Sequence, residues 1–134
     1  MIMLSDLLRF QVVDESGRRA RLSDFAVDLS ECDYPPVVRL DYRTARRRRL
    51  SLPWQAVKTI NWAGRTLQVA DLEAGSPAED TEAVLLKRDV MDALVLDLQG
   101  RRGTRANDLW MEEERGALRI CAADTTASAI RVRS

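Results

Sequence analysis

The chain has 134 residues, 46% hydrophobic and 31% charged, with 21 basic and 21 acidic side chains and no histidine. That length makes one domain or two small ones, and a compact chain of this size buries roughly two thirds of its surface, enough for a core without staples. Zero net charge does not advertise nucleic acid or lipid as a partner of the whole chain. The missing histidine excludes His-based acid/base chemistry, Ser-His and Cys-His nucleophile pairs and the commonest transition-metal ligand.

The longest uncharged run, Leu50 to Val57, is far short of the ~20 apolar residues a membrane helix needs. Met1-Ile-Met-Leu-Ser-Asp6 lacks the basic start and long apolar stretch of a signal peptide. The expectation is a soluble, cytoplasmic protein with no membrane insertion. Cys32 and Cys121, without a CxxC, read as two buried thiols. Charge is uneven along the chain: residues 1–72 carry 12 basic and 9 acidic side chains, and residues 73–134 the reverse.

In chain order, Ser5 to Phe10 reads as a helical turn capped by Ser5. A strand over Phe10–Asp14 leads through a turn at Gly17 into a long strand from Arg18 to Leu29. Phe25, Val27 and Leu29 alternate there with Ala26 and Asp28, the period of a half-buried strand. Cys32 to Pro36 is a loop, since Pro35-Pro36 removes two donors. Val38, Leu40 and Tyr42 then alternate with Arg39, Asp41 and Arg43, the cleanest strand in the sequence. Thr44–Arg48 is a turn. Leu50, Leu52 and Trp54 share the face of the next strand, which Pro53 bends or ends. Val57–Trp62, a turn at Ala63-Gly64 and a return strand with Leu67 and Val69 form a last hairpin. The segment 73–82, with Gly75, Ser76 and Pro77 among acidic residues, reads as a linker. Beyond it come strands over Ala93–Leu98, Arg101–Glu112 and Ala117–Ala123. Thr125 to Ser134 is open between helix and strand.

One pattern occurs twice. Asp14-x-x-Gly17-Arg18-Arg19 and Asp97-x-x-Gly100-Arg101-Arg102 share their spacing, follow apolar pairs, and precede Asp24-Phe25 and Asp108-Leu109. Asp bonding backbone N–H groups at a turn and Gly in the left-handed region is a hairpin signature. The glycines lie about 83 positions apart, a repeat signal. Asp14, Gly17, Asp97 and Gly100 are therefore turn residues. The expected fold is all-β: two tandem small barrels over 1–72 and 83–134, joined by the linker, the second shorter and leaning on the first.

The motifs resemble the PRC-barrel superfamily, which occurs in the H subunit of photosynthetic reaction centres and in a ribosome-maturation factor. The matching stretches are Leu4-Ser5-Asp6-Leu7-Leu8, Val12-Val13-Asp14-x-x-Gly17, Asp24-Phe25-Ala26-Val27, Tyr34-Pro35-Pro36-Val37 and Leu50-Ser-Leu-Pro53-Trp54-x-x-Val57. The second half is similar to bacterial proteins whose PRC-barrel region precedes the N-domain and CBS domains of MgtE-type magnesium transporters. There the matches are Leu85-Leu-Lys-Arg-Asp-Val-Met-Asp92, Val95-x-Asp97-x-x-Gly100-Arg101-Arg102 and Arg105-Ala-Asn107-Asp108. The transporter-like domains are absent here, so the chain reads as a fragment or a free-standing relative. The resemblance implies a non-catalytic module for protein interaction or regulation, linked to magnesium transport, with transporter-associated domains among its partners. It implies no cofactor and no active site.

Among candidate sites, Arg46, Arg47, Arg48 and Arg49 could bind RNA phosphates, anionic headgroups or an acidic partner. The plainer account is a solvated turn guarding a strand edge. No interleaving of aromatic and basic residues supports base stacking, so nucleic acid is disfavoured, and an RNA- or ribosome-associated adaptor is the alternative reading. Asp108 with Glu112, Glu113 and Glu114 could hold Mg²⁺ or Ca²⁺, against the plainer account of a turn rich in carboxylates. Trp54 and Trp62 read as core. Trp110, Met111 and Ile120 read as an exposed apolar patch, with Leu118 beside them, on a strand edge that lacks a partner. That patch and the uneven charge predict a homodimer through the second copy.

Overall fold

The computed structural model describes residues 1–30, 34–78, 84–91, 94–96 and 103–125, with the backbone alone at 91, 94–96, 103–107 and 123–125. It is mostly strand, as expected. β1 (Ile2–Met3) and a single helical turn, α1 (Leu4–Leu7), precede β2 (Gln11–Val13), β3 (Arg19–Val27), β4 (Val37–Arg43) and β5 (Arg49–Pro53). A 3-10 turn at Trp54–Ala56 leads to β6 (Val57–Asn61) and β7 (Thr66–Val69). A second such turn, Leu72–Ala74, leads to β8 (Ser76–Pro77). The second half has β9 (Val84–Leu85), a π-helical turn at Leu86–Met91, β10 (Leu94–Leu96), β11 (Gly103–Glu114) and β12 (Ala117–Thr125). Asp97, Gly100, the stretch 79–83 of the linker and residues 126–134 lie outside the described residues.

Eight strands form one sheet in the order β6-β7-β2-β3-β4-β5-β8, with β9 also on β3. The β2–β7 pair is parallel and the remaining pairs are antiparallel. A four-stranded sheet holds β1, β10 and β12 around β11. Among the described residues neither sheet closes into a barrel. The start of the expected linker is docked, since β8 pairs with β5. Just before it, the Tyr42 hydroxyl donates to the Leu72 carbonyl at 2.6 Å.

The two long strands are built alike. One edge of β3 carries β2 and then β9, and its other edge carries β4. One edge of β11 carries β10 and then β1, and its other edge carries β12. The ladder of β3 slips between Leu22 and Asp24 and again between Ala26 and Val27. The ladder of β11 slips at the matching places, between Ala106 and Asp108 and between Trp110 and Met111.

Each long strand also holds the helical turn that belongs, in sequence, to the other copy. Asp24 on β3 accepts hydrogen bonds from the backbone N–H of Lys87 (2.7 Å) and of Arg88 (3.0 Å), opening the turn Leu86–Met91. Asp108 on β11 accepts from Ser5 N–H (3.1 Å) and the Ser5 hydroxyl, opening α1. Both aspartates also take the N–H of the next residue, Phe25 or Leu109, at 2.8 Å. The halves thus exchange their leading arms. A helix of four residues has no stability of its own, so α1 exists because Asp108 satisfies its first donors and Leu4 and Leu7 are buried.

The exchange explains where β3 departs from simple alternation. Arg19 and Arg21 are exposed and Ala20 and Leu22 buried, but Phe25, Ala26 and Val27 are all buried, because β9 and the π-helical turn cover that end. One apolar cluster spans both copies, from Leu4 and Leu7 through Phe25, Leu40 and Tyr42 to Leu109, Met111 and Leu118. Trp54 is core as expected. Its ring meets Phe25 edge to face at 6.3 Å, and its Nε1–H donates to the Gly116 carbonyl at 2.8 Å. That carbonyl lies in the Arg115-Gly116 turn, where both residues have positive φ.

The first repeated turn has the predicted chemistry. Asp14 accepts from Ser16 N–H, the Ser16 hydroxyl and Arg18 N–H at 2.8–3.1 Å, and from Leu72 N–H at 3.1 Å. Burial raises its pKa, but the Leu72, Ser16 and Arg18 donors outweigh that and hold it below the ordinary carboxylate value. Gly17 stands at φ +87°, which a side chain enters at a cost.

Candidate anion-binding face

The inner face of the first sheet is apolar: Val12, Ala20, Leu22, Leu40, Tyr42 and Leu50 are buried. Strand alternation sends their neighbours outward. Gln11 pairs with Arg21, Arg21 with Arg43 and Arg43 with Arg49. Three guanidinium groups therefore face one another directly across β3, β4 and β5, all exposed. Arg19, on the same face of β3, donates to Gln11 Oε1 at 2.7 Å. Among the described residues no carboxylate makes an ion pair with Arg9, Arg19, Arg21, Arg43, Arg47 or Arg49. Like charges directly opposite on adjacent strands destabilise a sheet, by roughly 0.2–1 kcal/mol a pair.

The face is concave. One hollow of about 420 Å³ is lined by Gln11, Arg19, Arg21, Arg43, Thr44 and Arg47. It adjoins a second of about 510 Å³, which shares Gln11, Arg21 and Arg43 and adds Arg9, Ser23 and Lys87. Arg47 enters the first from a turn closed by Arg47 N–H to the Thr44 carbonyl (2.8 Å) and Thr44 N–H to the Arg48 carbonyl (3.0 Å). Its φ of 62° is a strained conformation for a long side chain. Of the four consecutive arginines, Arg47 lines the hollow and Arg49 joins the row, while Arg46 and Arg48 are exposed on the turn.

Beyond the row sit two buried carboxylates, Asp24 and Asp41, opposite each other on β3 and β4. Arg39 clamps Asp41 through Nε (2.8 Å) and Nη2 (3.1 Å). Burial pushes the Asp24 pKa up. The N–H groups of Lys87, Phe25 and Arg88 pull it down, Asp41 pushes it up again, and the net shift is upward. The second copy repeats the pairing as Asp108 with Asp124.

The acidic candidates do not assemble into a metal site. Asp108 is buried and committed to Ser5 and Leu109, while Glu112, Glu113 and Glu114 are exposed. Among the described residues no three Asp, Glu, Cys or His side chains are placed to share an ion.

The expected apolar patch needs correction. Met111 and Leu118 are fully buried in the shared core, and β1 lies along β11 with Ile2 opposite Met111. Trp110 and Ile120 are half-buried. The edge of β12, expected to be unpaired, meets residues 34–36: Ile120 N–H donates to the Pro35 carbonyl (3.0 Å), and Arg119 Nη1 to the Tyr34 carbonyl (2.9 Å). Trp62, read as core, is 40% exposed and touches Phe10 edge to face at 5.9 Å. Cys121 is half-buried beside the Trp110 carbonyl, with its thiol pKa raised by burial and by Glu112.

Sequence reading missed Arg9, Arg19, Arg21, Ser23, Arg43 and Lys87 as members of one surface. The alternation of Arg19 with Arg21 and of Arg39 with Arg43 was the available signal. Only the strand register lines Arg21 up with Arg43. No helix among the described residues is long and apolar enough to cross a membrane.

No family model, no curated protein and no solved structure matches this chain.

Proposed function

We propose that the chain is a non-catalytic interaction module that takes an acidic protein segment along the outer face of β2–β5. In this reading it is a PRC-barrel-like pair of copies, and the transporter-associated domains implied by the resemblance are one source of such a segment. The observation that carries it is the register placing Arg21, Arg43 and Arg49 directly opposite one another, without carboxylate partners among the described residues. An arrangement that costs the free protein stability is offset when a partner brings negative charge, and planar guanidinium groups suit carboxylates bidentately. RNA would also bring negative charge. The first hollow has no aromatic side chain, and the aromatic residue lining the second, Phe10, is buried, so neither offers an exposed ring on which bases could stack.

The test is fluorescence anisotropy of a labelled oligoglutamate peptide and a labelled uridine oligonucleotide at low and moderate salt. The peptide is expected to bind in a salt-sensitive way. Arg21→Gln with Arg43→Gln and Arg49→Gln should weaken it by about tenfold or more, the scale of one charge-assisted hydrogen bond. Peptide binding unaffected by the triple variant refutes the face. Binding of the oligonucleotide in preference to the peptide transfers the face to nucleic acid.

A further inference from the structure

Resting on that reading, we propose that the inner end of the face is a subsite for a phosphorylated serine or threonine carried within the acidic segment. The hollow of about 510 Å³ brings together Arg9, Arg21, Arg43 and Lys87, with Gln11 and Ser23. The two carboxylates nearby are already engaged: Asp24 by backbone N–H groups and Asp41 by Arg39. Four cations against one carboxylate of a peptide is a mismatch. A phosphate monoester, with nearly two charges at neutral pH and three strong acceptor oxygens, matches the set.

The second observation is independent of charge. The Ser23 hydroxyl is shut off from solvent and has no hydrogen-bond partner among the described residues. A buried hydroxyl without a partner is uncommon and calls for an explanation. Ser23 is the extra residue where the β3–β4 ladder slips between Leu22 and Asp24, and such bulges re-aim side chains beside functional sites. Ser23 lines the hollow, and a small shift of the bulge would bring its hydroxyl, closed off in the free fold, within reach of an acceptor oxygen there.

The subsite is composite. Arg9 follows α1, which β11 of the second copy holds, and Lys87 opens the π-helical turn that Asp24 of the first copy holds. The adjoining hollow with Arg19 and Arg47 would receive the carboxylates flanking the phosphate. That continuity favours a phosphorylated chain over a free phosphate ion.

Three matched peptides decide the matter, using the full chain: an acidic sequence with a central phosphoserine, the same with serine, and the same with glutamate. The phosphopeptide is expected to bind about tenfold or more tighter than either control. Ser23→Ala and Lys87→Gln should each remove most of that preference, weakening the phosphopeptide more than the serine peptide, with the melting temperature unchanged. Ser23→Ala gives up no hydrogen bond to any described residue, so it tests the hydroxyl at little cost to the fold. Equal binding of the phosphorylated and serine peptides overturns the subsite while leaving the acidic-segment reading in place. A preference that survives both variants overturns it too. Inorganic phosphate displacing the phosphopeptide at equal concentration assigns the pocket to the free ion instead. If no peptide binds at low salt, the acidic-segment reading falls, and the subsite with it.

Discussion

The two copies share a frame and differ in what they display. Both have a long strand with slips at matching places, an aspartate that caps the other copy's helical turn, and a second aspartate opposite it on the next strand. The arginine row is shared only in part. Where the first copy has Arg21, the second has Arg105, but where the first has Arg19, the second has Gly103. The second copy's long strand also ends in the exposed run Glu112-Glu113-Glu114. The aspartates and the slips belong to the frame that both halves keep. The proposed face depends on Arg43 and Arg49, on strands beside the long one.

The sharpest way to break this comparison is to remove the two capping aspartates. Asp108→Ala takes from α1 the acceptor of the Ser5 N–H and hydroxyl and leaves the buried Leu109 N–H without Asp108, for an expected loss of about 2–4 kcal/mol. Asp24→Ala should cost somewhat less, about 1–3 kcal/mol, because burial and Asp41 already disfavour its charge. Chemical denaturation of both variants gives the answer. A loss below 0.5 kcal/mol, roughly the scatter of surface substitutions, at either site would end the claim that the caps are equivalent.

A smaller effect tests how firmly the linker is docked on the first copy. Burial, with Glu73, Asp71 and Asp14 nearby, pushes the Tyr42 pKa up to about 12 from 10.0. The neutral phenol is therefore favoured in the fold. Its contribution is fully present below pH ~10 and lost as pH rises through ~12, a change of about 2–3 kcal/mol. Stability measured from pH 9 to 12 should fall, with a shallower fall in Tyr42→Phe over the same range. Equal slopes would mean that burial and the neighbouring carboxylates do not hold the phenol neutral in the fold.

The smallest effect has the opposite sign. Arg21→Gln or Arg43→Gln should stabilise the free protein by up to about 0.5–1 kcal/mol by relieving repulsion along the row. Substitution of Arg46 or Arg48 should do nothing measurable. A destabilising Arg43→Gln would show that the row serves the fold rather than a partner.

Much of the frame could be read from the residues. The alternation of Val38 to Arg43 located a strand but not its covered face: Val38 is exposed, and Asp41 is buried along with Leu40 and Tyr42. Asp14-x-x-Gly17 announced its turn through local chemistry alone. The exchange of arms could not be read, since nothing local tells Ser5 that its acceptor is Asp108. Met111 and Leu118 looked exposed for the same reason: β1, beside Met111, and residues 34–36, on the edge of β12, both lie far away in the sequence. The row at the candidate site was hidden because Arg21, Arg43 and Arg49 lie far apart in sequence, and only three-strand register joins them. Trp62 misled because a ring on a hairpin can be held by one edge contact, here Phe10, and still face water.

The exchanged arms have a consequence for how the chain behaves when cut. Each half grips a short segment that the other half carries, so the two are clasped through two separate points rather than one seam. A protease that cleaves between them should leave a nicked protein that elutes and melts as one body. During synthesis the first arm, made at the outset, has no seat until Asp108 has emerged. Folding must then wait for the last third of the chain, the behaviour expected where contacts are distant in sequence. Each piece made alone would carry an arm without its seat and a seat without its arm. Mixed together, the two pieces are complementary fragments, able to find each other and rebuild the whole.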